Sequence, residues 1–189
     1  MRITAGERRG KTLKAPEGLN TRPTSDRARQ AVFNILNHAG WRNGDIIDSA
    51  LVLDVFAGTG AMGLEALSQG AAHAVFVERD PAAVAACTEN ITSMKYTEKT
   101  LLLKADALKP AQRPPAVEPR TLVFLDPPYG KGMAAEALKA YAARGWLAPG
   151  AICVMEMAKK QLEPAVEGFI QHDERAYGVA LVRFLEWEG

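Results

Sequence analysis

The chain is poor in the residues that build metal centres and disulfide frameworks. Its 189 residues include two cysteines and three histidines. Cys87 and Cys153 fall in a helix-like and a strand-like segment, so both read as buried free thiols rather than a disulfide. His38, His73 and His172 are scattered, which leaves no Cys/His cluster at ligand spacing, and no metal is expected. No apolar run approaches the length of a membrane span, and no signal-peptide pattern opens the sequence. Repeats, low-complexity segments and a dividing linker are also missing. The length suits one domain with a sizeable core, and 48% hydrophobic with 24% charged residues is an ordinary globular composition. A cytoplasmic, metal-free monomer is the expectation.

A net charge of +1 hides an asymmetry. Residues 1–42 carry nine basic side chains (Arg2, Arg8, Arg9, Lys11, Lys14, Arg22, Arg27, Arg29, Arg42) against Glu7, Glu17 and Asp26, a balance of +6 that leaves −5 elsewhere. A basic end on an acidic body suggests an anionic partner at that end, with nucleic acid leading the candidates. A solvated basic hairpin is the alternative.

Local patterns divide the chain into a small N-terminal unit and an alternating body. Weak alternation around Gly6 and Gly10 suggests a hairpin over residues 1–15. Thr24, Ser25 or Asp26 can cap a helix running to about Asn37, with Val32, Phe33 and Leu36 on one face. Strands are expected at Leu51–Val55, His73–Glu78, Thr100–Ala105, Thr121–Leu125 and Ala151–Met155. Helices are expected from about Gly60 to Gln69, at Pro81–Ser93 with proline in the first turn, and at Met133–Arg144. Residues 107–120 read as irregular, and Gln171–Tyr177 with Val179–Trp187 as a closing antiparallel pair. Such alternation implies an α/β fold, a mostly parallel sheet with helices on both faces.

The most informative segment is Asp126-Pro127-Pro128-Tyr129. It follows the buried-strand run Thr121–Leu125, and its prolines end that strand and stiffen the turn. A carboxylate, a proline carbonyl and an aromatic ring are thereby held at the carboxyl end of a strand, where open α/β sheets bind ligands. Such a turn accepts two hydrogen bonds from one amino group while the ring stacks on the heterocycle carrying it, which is what alkylation of a nucleobase amine needs. A core position is the alternative for Tyr129.

A second turn, Phe56-Ala57-Gly58-Thr59-Gly60-Ala61-Met62-Gly63, follows the first strand. Gly58, Gly60 and Gly63 satisfy the dinucleotide fingerprint and let a ligand touch backbone at a helix N-terminus. Asp54, within the preceding strand, argues against a dinucleotide, because its carboxylate would repel a pyrophosphate. A ligand carrying both an ammonium and a carboxylate fits better, and S-adenosylmethionine is such a ligand. A turn or cap role is the alternative for Asp54. Glu78, beside Arg79, ends the second strand twenty residues after Gly58, where it can accept from both ribose hydroxyls. Asp106 follows the third strand and can accept from the adenine amino group, with the Ala107 N–H directed at the ring.

Asp54-Val-Phe-Ala-Gly-Thr-Gly60 with Glu78, Asp106 and Asp126-Pro-Pro-Tyr129 resembles the Rossmann-like methyltransferases that use S-adenosylmethionine. Arg2-Ile-Thr-Ala-Gly6, Arg9-Gly-Lys-Thr-Leu13, Thr21-Arg-Pro-Thr-Ser-Asp-Arg-Ala-Arg29 and Phe33-Asn-Ile-Leu36 resemble the bacterial small-subunit ribosomal RNA guanine-N2 methyltransferase family. The resemblance covers nearly the whole chain. It implies a Rossmann-like seven-stranded sheet whose last strand is antiparallel, and a domain in which residues 1–42 face RNA and residues 43–189 form the catalytic core. The implied reaction is methylation of a guanine exocyclic amine in 16S ribosomal RNA or a small-subunit assembly intermediate. Asp126, Pro127, Pro128 and Tyr129 are then the catalytic turn. Asp54, Phe56, Ala57, Gly58, Thr59, Gly60, Glu78, Arg79, Asp106, Ala107 and Asp126 hold the cofactor. Arg8, Arg9, Lys11, Arg22, Arg27 and Arg29 become phosphate contacts. Phe33 reads as core, although its helix can also cover the cofactor's methionine end. Trp41, Trp146 and Trp187 read as core or surface anchors, and Lys159 and Lys160 as solvated.

Three rivals are defined by the same residues. An NAD-dependent oxidoreductase explains the glycines and Glu78 but not Asp54 or the Asp-Pro-Pro-Tyr turn. A DNA adenine-N6 or cytosine-N4 amino-methyltransferase shares the chemistry but usually carries a sequence-reading domain, and none is evident. A non-catalytic RNA-binding assembly factor is opposed by the intact Asp126 and glycine turn.

Overall fold

Apolar runs too short for buried helices form the first four strands. In the computed structural model, which describes residues 1–16, 26–128, 132–160 and 165–189, they are β1 (Leu51–Val55), β2 (His73–Glu78), β3 (Thr100–Lys104) and β4 (Arg120–Leu125). The sheet is completed by β5 (Leu147–Ala158), β6 (Phe169–Tyr177) and β7 (Ala180–Trp187), in the order β3-β2-β1-β4-β5-β7-β6. Neighbours from β3 to β5 are parallel, while β7 runs antiparallel to both β5 and β6. Among the described residues, four α-helices accompany the sheet: α1 (Asp26–Asn37), α2 (Ala61–Ser68), α3 (Pro81–Ser93) and α4 (Met133–Ala143).

Period-two alternation sorts the strand residues into two cores. Val52, Phe76 and Phe124 face one side with Leu64 of α2, Cys87 and Ile91 of α3, and Val32, Phe33 and Leu36 of α1. Leu53, Val55, Val75 and Val123 face the other with Ala134, Ala137 and Leu138 of α4. Helices therefore cover both faces, as the alternating pattern implies. Both cysteines are buried and free. Trp146 packs edge-on against Tyr141 and donates to the Ala111 carbonyl at 2.9 Å, and Trp187 lies against Phe169. Trp41 stacks on His172 at 4.6 Å.

Most element boundaries match the local signals. Asp80 caps α3 by accepting the Ala83 N–H at 2.9 Å, and Pro81 begins the helix without losing a useful donor. The largest difference is β5, which extends beyond the expected Ala151–Met155 at both ends. Its start pairs Leu147 with Arg120 ahead of a register shift, and its end pairs Met157 and Ala158 with β7. Those limits are set by neighbouring strands rather than by local composition. The N-terminal hairpin contains only one bridge pair, Arg2 with Thr12, flanked by hydrogen bonds between Ile3 and Lys11 and between Leu13 and Met1.

That hairpin is anchored to the body by backbone contact and buried charge. Gly6 is left-handed, and a Cβ there would lie 1.7 Å from the Ser68 carbonyl oxygen, so no other residue fits. Glu7 donates its N–H to that oxygen, and Ser68 Oγ donates to the Ala5 carbonyl at 2.6 Å. Glu65 of α2 is fully buried and accepts the Thr4 N–H at 2.9 Å, the Thr4 hydroxyl at 2.8 Å and the Ala5 N–H at 2.9 Å. It also pairs with Arg29 at 3.1 Å. Removing one partner of a buried pair leaves the other charge uncompensated. Glu65→Ala should therefore cost about 3–5 kcal/mol in urea unfolding. A loss below ~1 kcal/mol, the range of surface pairs, would mean the network carries little of the fold.

Candidate cofactor and amino-methylation site

The sheet order reverses between β1 and β4. After β1 the chain winds outward through β2 and β3, then returns to place β4 on the other side of β1. Loops leaving β1 and β4 diverge there, which opens a crevice at the strands' carboxyl ends. Val55 is level with Leu125 and with Val77, so Phe56, Asp126 and Glu78 emerge side by side. They border a cavity of about 570 Å³.

The glycine turn forms one wall. Phe56, Gly58 and Gly60 have φ values of 63°, 54° and 79°, which fold the chain back sharply. Ala57 donates to Val77 O at 3.0 Å, Gly60 to Ala57 O at 2.7 Å, and Asn90 Nδ2 to Thr59 O at 3.0 Å. Gly63 serves packing: a Cβ there would stand 2.4 Å from the Phe76 ring. Gly60 caps α2 from behind the turn, where a Cβ would meet Cys87 Sγ at 2.8 Å. Gly58 has open space, consistent with a position that faces a ligand.

Five carboxylates line this cavity: Asp54, Glu78, Asp80, Asp106 and Asp126. Asp54 is 3% exposed and accepts the Gly63 N–H at 2.8 Å, so it both braces the turn and borders the cavity. Burial pushes its carboxyl up to about 8; the Gly63 hydrogen bond opposes this, while Asp126 and Glu78 add to it. Burial therefore weakens the charge repulsion that Asp54 can exert on a ligand. Glu78 Oε2 accepts the Gly58 N–H at 2.9 Å, and Oε1 accepts from Arg79 N at 2.7 Å and Asp80 N at 2.9 Å. Asp106 accepts the Leu108 N–H at 3.0 Å and lies 3.4 Å from the exposed Arg79 guanidinium. Asp126, Pro127 and Pro128 line the side nearest β4, together with Met133 of α4.

The Asp54 shift has a signed consequence. A folded-state pKa above the ordinary carboxyl value of 3.8 means the folded protein holds the extra proton between the two values. The stability it contributes is present at low pH and lost as pH rises through about 8. Asp54→Asn keeps an acceptor for Gly63 and cannot ionise. In urea unfolding it should gain on wild type as pH moves from ~5.5 to ~8.5. A constant difference between the two proteins would contradict the assigned shift.

Asp54, Phe56, Ala57, Gly58, Thr59, Glu78, Arg79, Asp106, Ala107, Asp126, Pro127 and Pro128 all line the one cavity. Tyr129 and Arg22 lie outside the described residues. The phosphate-contact set needs a correction. Arg29 is fully buried and held by Glu65, Asp26 and the Arg2 carbonyl, so it does not present its charge to solvent. The i, i+3 spacing from Asp26, and its place on the Val32/Phe33/Leu36 face, are signals that would have identified it as internal. Arg8 is partly committed: Nε donates to Met94 O at 3.1 Å and the guanidinium lies over the Tyr96 ring. Arg9, Lys11 and Arg27 are exposed. Asn90 was also missed; besides holding Thr59 it binds both backbone groups of Lys14, linking the hairpin to the glycine turn.

The chain matches the family model described as conserved hypothetical protein 95 over residues 1–186. It is 33% identical over 189 residues to ribosomal RNA small subunit methyltransferase D of Escherichia coli strain K12, covering 100% of this chain and 90% of that protein. Identity is 30% over 190 residues with the protein of the same name from Haemophilus influenzae, at 98% and 93% coverage. A solved structure from Escherichia coli, that of a candidate methyltransferase, superposes with a TM-score of 0.83 at 30% identity, covering 100% of this chain and 98% of that one.

Proposed function

The chain belongs to the family described as conserved hypothetical protein 95 and is a methyltransferase; on that premise we propose that it methylates the exocyclic N2 amine of a guanine in 16S ribosomal RNA with S-adenosylmethionine. The observation that carries this reading is the Asp126-Pro127-Pro128 turn standing over the same cavity as the glycine turn, Glu78 and Asp106.

The cavity's donor set fits the cofactor. Glu78 is oriented by three backbone N–H groups, which leaves acceptor capacity on Oε2 for a ligand hydroxyl. Asp106 and the buried Ala107 suit the amino and ring edges of a purine, with Leu108 and Ala83 as apolar cover. Ala61 and Met62, at the start of α2 where the N-cap Gly60 offers no side-chain acceptor, suit a carboxylate. When bound, S-adenosylmethionine supplies an electrophilic methyl group on a sulfonium.

The chain's own task is to position the amine. Guanine N2 is a poor nucleophile because its lone pair is delocalised into the ring. Asp126 and the Pro127 carbonyl accept hydrogen bonds from its two N–H groups, holding the nitrogen pyramidal with the lone pair aimed into the cavity. Asp126 need not be a strong base, since the methylated ammonium is acidic and loses its proton readily. Most of the rate enhancement is thus orientation and electrostatic complementarity. Tyr129 stacks on the base, which must leave its helix to enter.

The test supplies labelled S-adenosylmethionine with small ribosomal subunits, naked 16S RNA and DNA, followed by nucleoside analysis. Label recovered as N2-methylguanosine is the expected product. Label in DNA adenine or cytosine would move the chain to the DNA amino-methylases.

A further inference from the structure

We infer that Arg29 seats the carboxylate of the cofactor's amino-acid moiety through Nη1, an inference that rests on the cofactor reading above. The side chain is fully buried, yet it lines the cavity together with Ala61 and Met62 at the start of α2. Its other donors are committed to protein acceptors. Nε binds Glu65 Oε2 at 3.1 Å, and Nη2 binds Asp26 Oδ1 at 3.0 Å and the Arg2 carbonyl. Among the described residues, Nη1 of Arg29 is a buried side-chain nitrogen with no hydrogen-bond partner. A buried donor on a charged group is costly to leave unpaired, so Nη1 calls for an acceptor.

The acceptor must reach Nη1 from the cavity. Glu78 and Asp106 stand at the ends of β2 and β3 and account for hydroxyl and purine groups, whereas Arg29 comes from α1 and is bonded to α2. What remains of the ligand on the α2 side is its amino-acid end, whose acceptor is a carboxylate. The α2 N-terminus favours the same anion. Glu65 and Asp26 already balance the guanidinium charge, so Arg29 contributes a directional hydrogen bond from a preorganised group rather than net positive potential. The same contacts tie the seat to the N-terminal hairpin through Arg2, Thr4 and Ala5.

Calorimetry with two probes tests this. S-adenosylhomocysteine carries the carboxylate; its decarboxylated analogue retains the adenosine, thioether and ammonium. Arg29→Lys should weaken S-adenosylhomocysteine by about 10- to 100-fold and the analogue by less than about twofold, the loss of one charge-assisted hydrogen bond. Equal weakening of both probes, or of neither, overturns the assignment. Because the variant disturbs a buried pair, NMR of the wild-type Arg29 guanidinium protons supplies a second readout. They should shift with S-adenosylhomocysteine and not with the analogue; identical shifts overturn the proposal. Failure of the wild-type protein to bind either probe would instead overturn the cofactor reading and this seat with it.

Discussion

Asp126→Ala should lower methyl transfer by about two to three orders of magnitude while leaving S-adenosylhomocysteine affinity within a few-fold of wild type. Asp126 follows Leu125 of β4, which is level with Val55 of β1, so its carboxyl stands beside the glycine turn rather than within it. On the proposed reading, Glu78 and Asp106 meet the cofactor's hydroxyl and purine groups, and Asp126 meets the incoming amine. Losing an acceptor present only when that amine reacts lowers kcat more than it raises KM. Single-turnover transfer to RNA, with calorimetry beside it, measures both quantities. The substitution has a side effect that checks the geometry independently. Asp126 is one of the charges that push Asp54 upward, so its removal should bring the Asp54 pKa down from about 8. Near-normal turnover in the variant would remove the turn from the chemistry.

The parts of this site legible in the sequence are those set by local chemistry. Strands β1, β2 and β4 are apolar runs because parallel strands are buried on both faces. The α3 start is legible because Asp80 and Pro81 act on their immediate neighbours. Glycine at 58, 60 and 63 marks a turn, although only the structure separates their tasks: Gly58 faces open space, whereas Gly60 and Gly63 are pinned by Cys87 and Phe76. What was not legible depends on partners distant in sequence. Glu65 looks like a solvent-facing helical acid until Thr4, Ala5 and Arg29 converge on it. Asp54 looks like a charge until burial raises its pKa. A charge count over residues 1–42 likewise treats Arg29 as an external cation, when its guanidinium is internal.

The corrected charge map sharpens the expectation for RNA. Of the six basic residues that the sequence assigns to phosphate, Arg9, Lys11 and Arg27 are exposed, Arg8 is partly held by Met94 and Tyr96, Arg29 is buried, and Arg22 lies outside the described residues. Converting Arg9, Lys11 and Arg27 together to glutamine tests the exposed group without disturbing the Glu65 network. If each makes one phosphate contact, the log–log salt slope of RNA binding should flatten by about two to three units. Near 0.15 M salt the affinity should fall on the order of a hundredfold, because released counterions supply the driving force. S-adenosylhomocysteine affinity should not change, since none of the three residues borders the cavity. Filter binding across a salt series, with calorimetry on the same variant, reads both. The competing docking surface is the exposed Lys159-Lys160 pair following β5. An unchanged slope in the triple variant, with a flattened slope on neutralising Lys159 and Lys160, would move the RNA to that surface and leave the hairpin as a solvated face braced by Gly6 and Glu65.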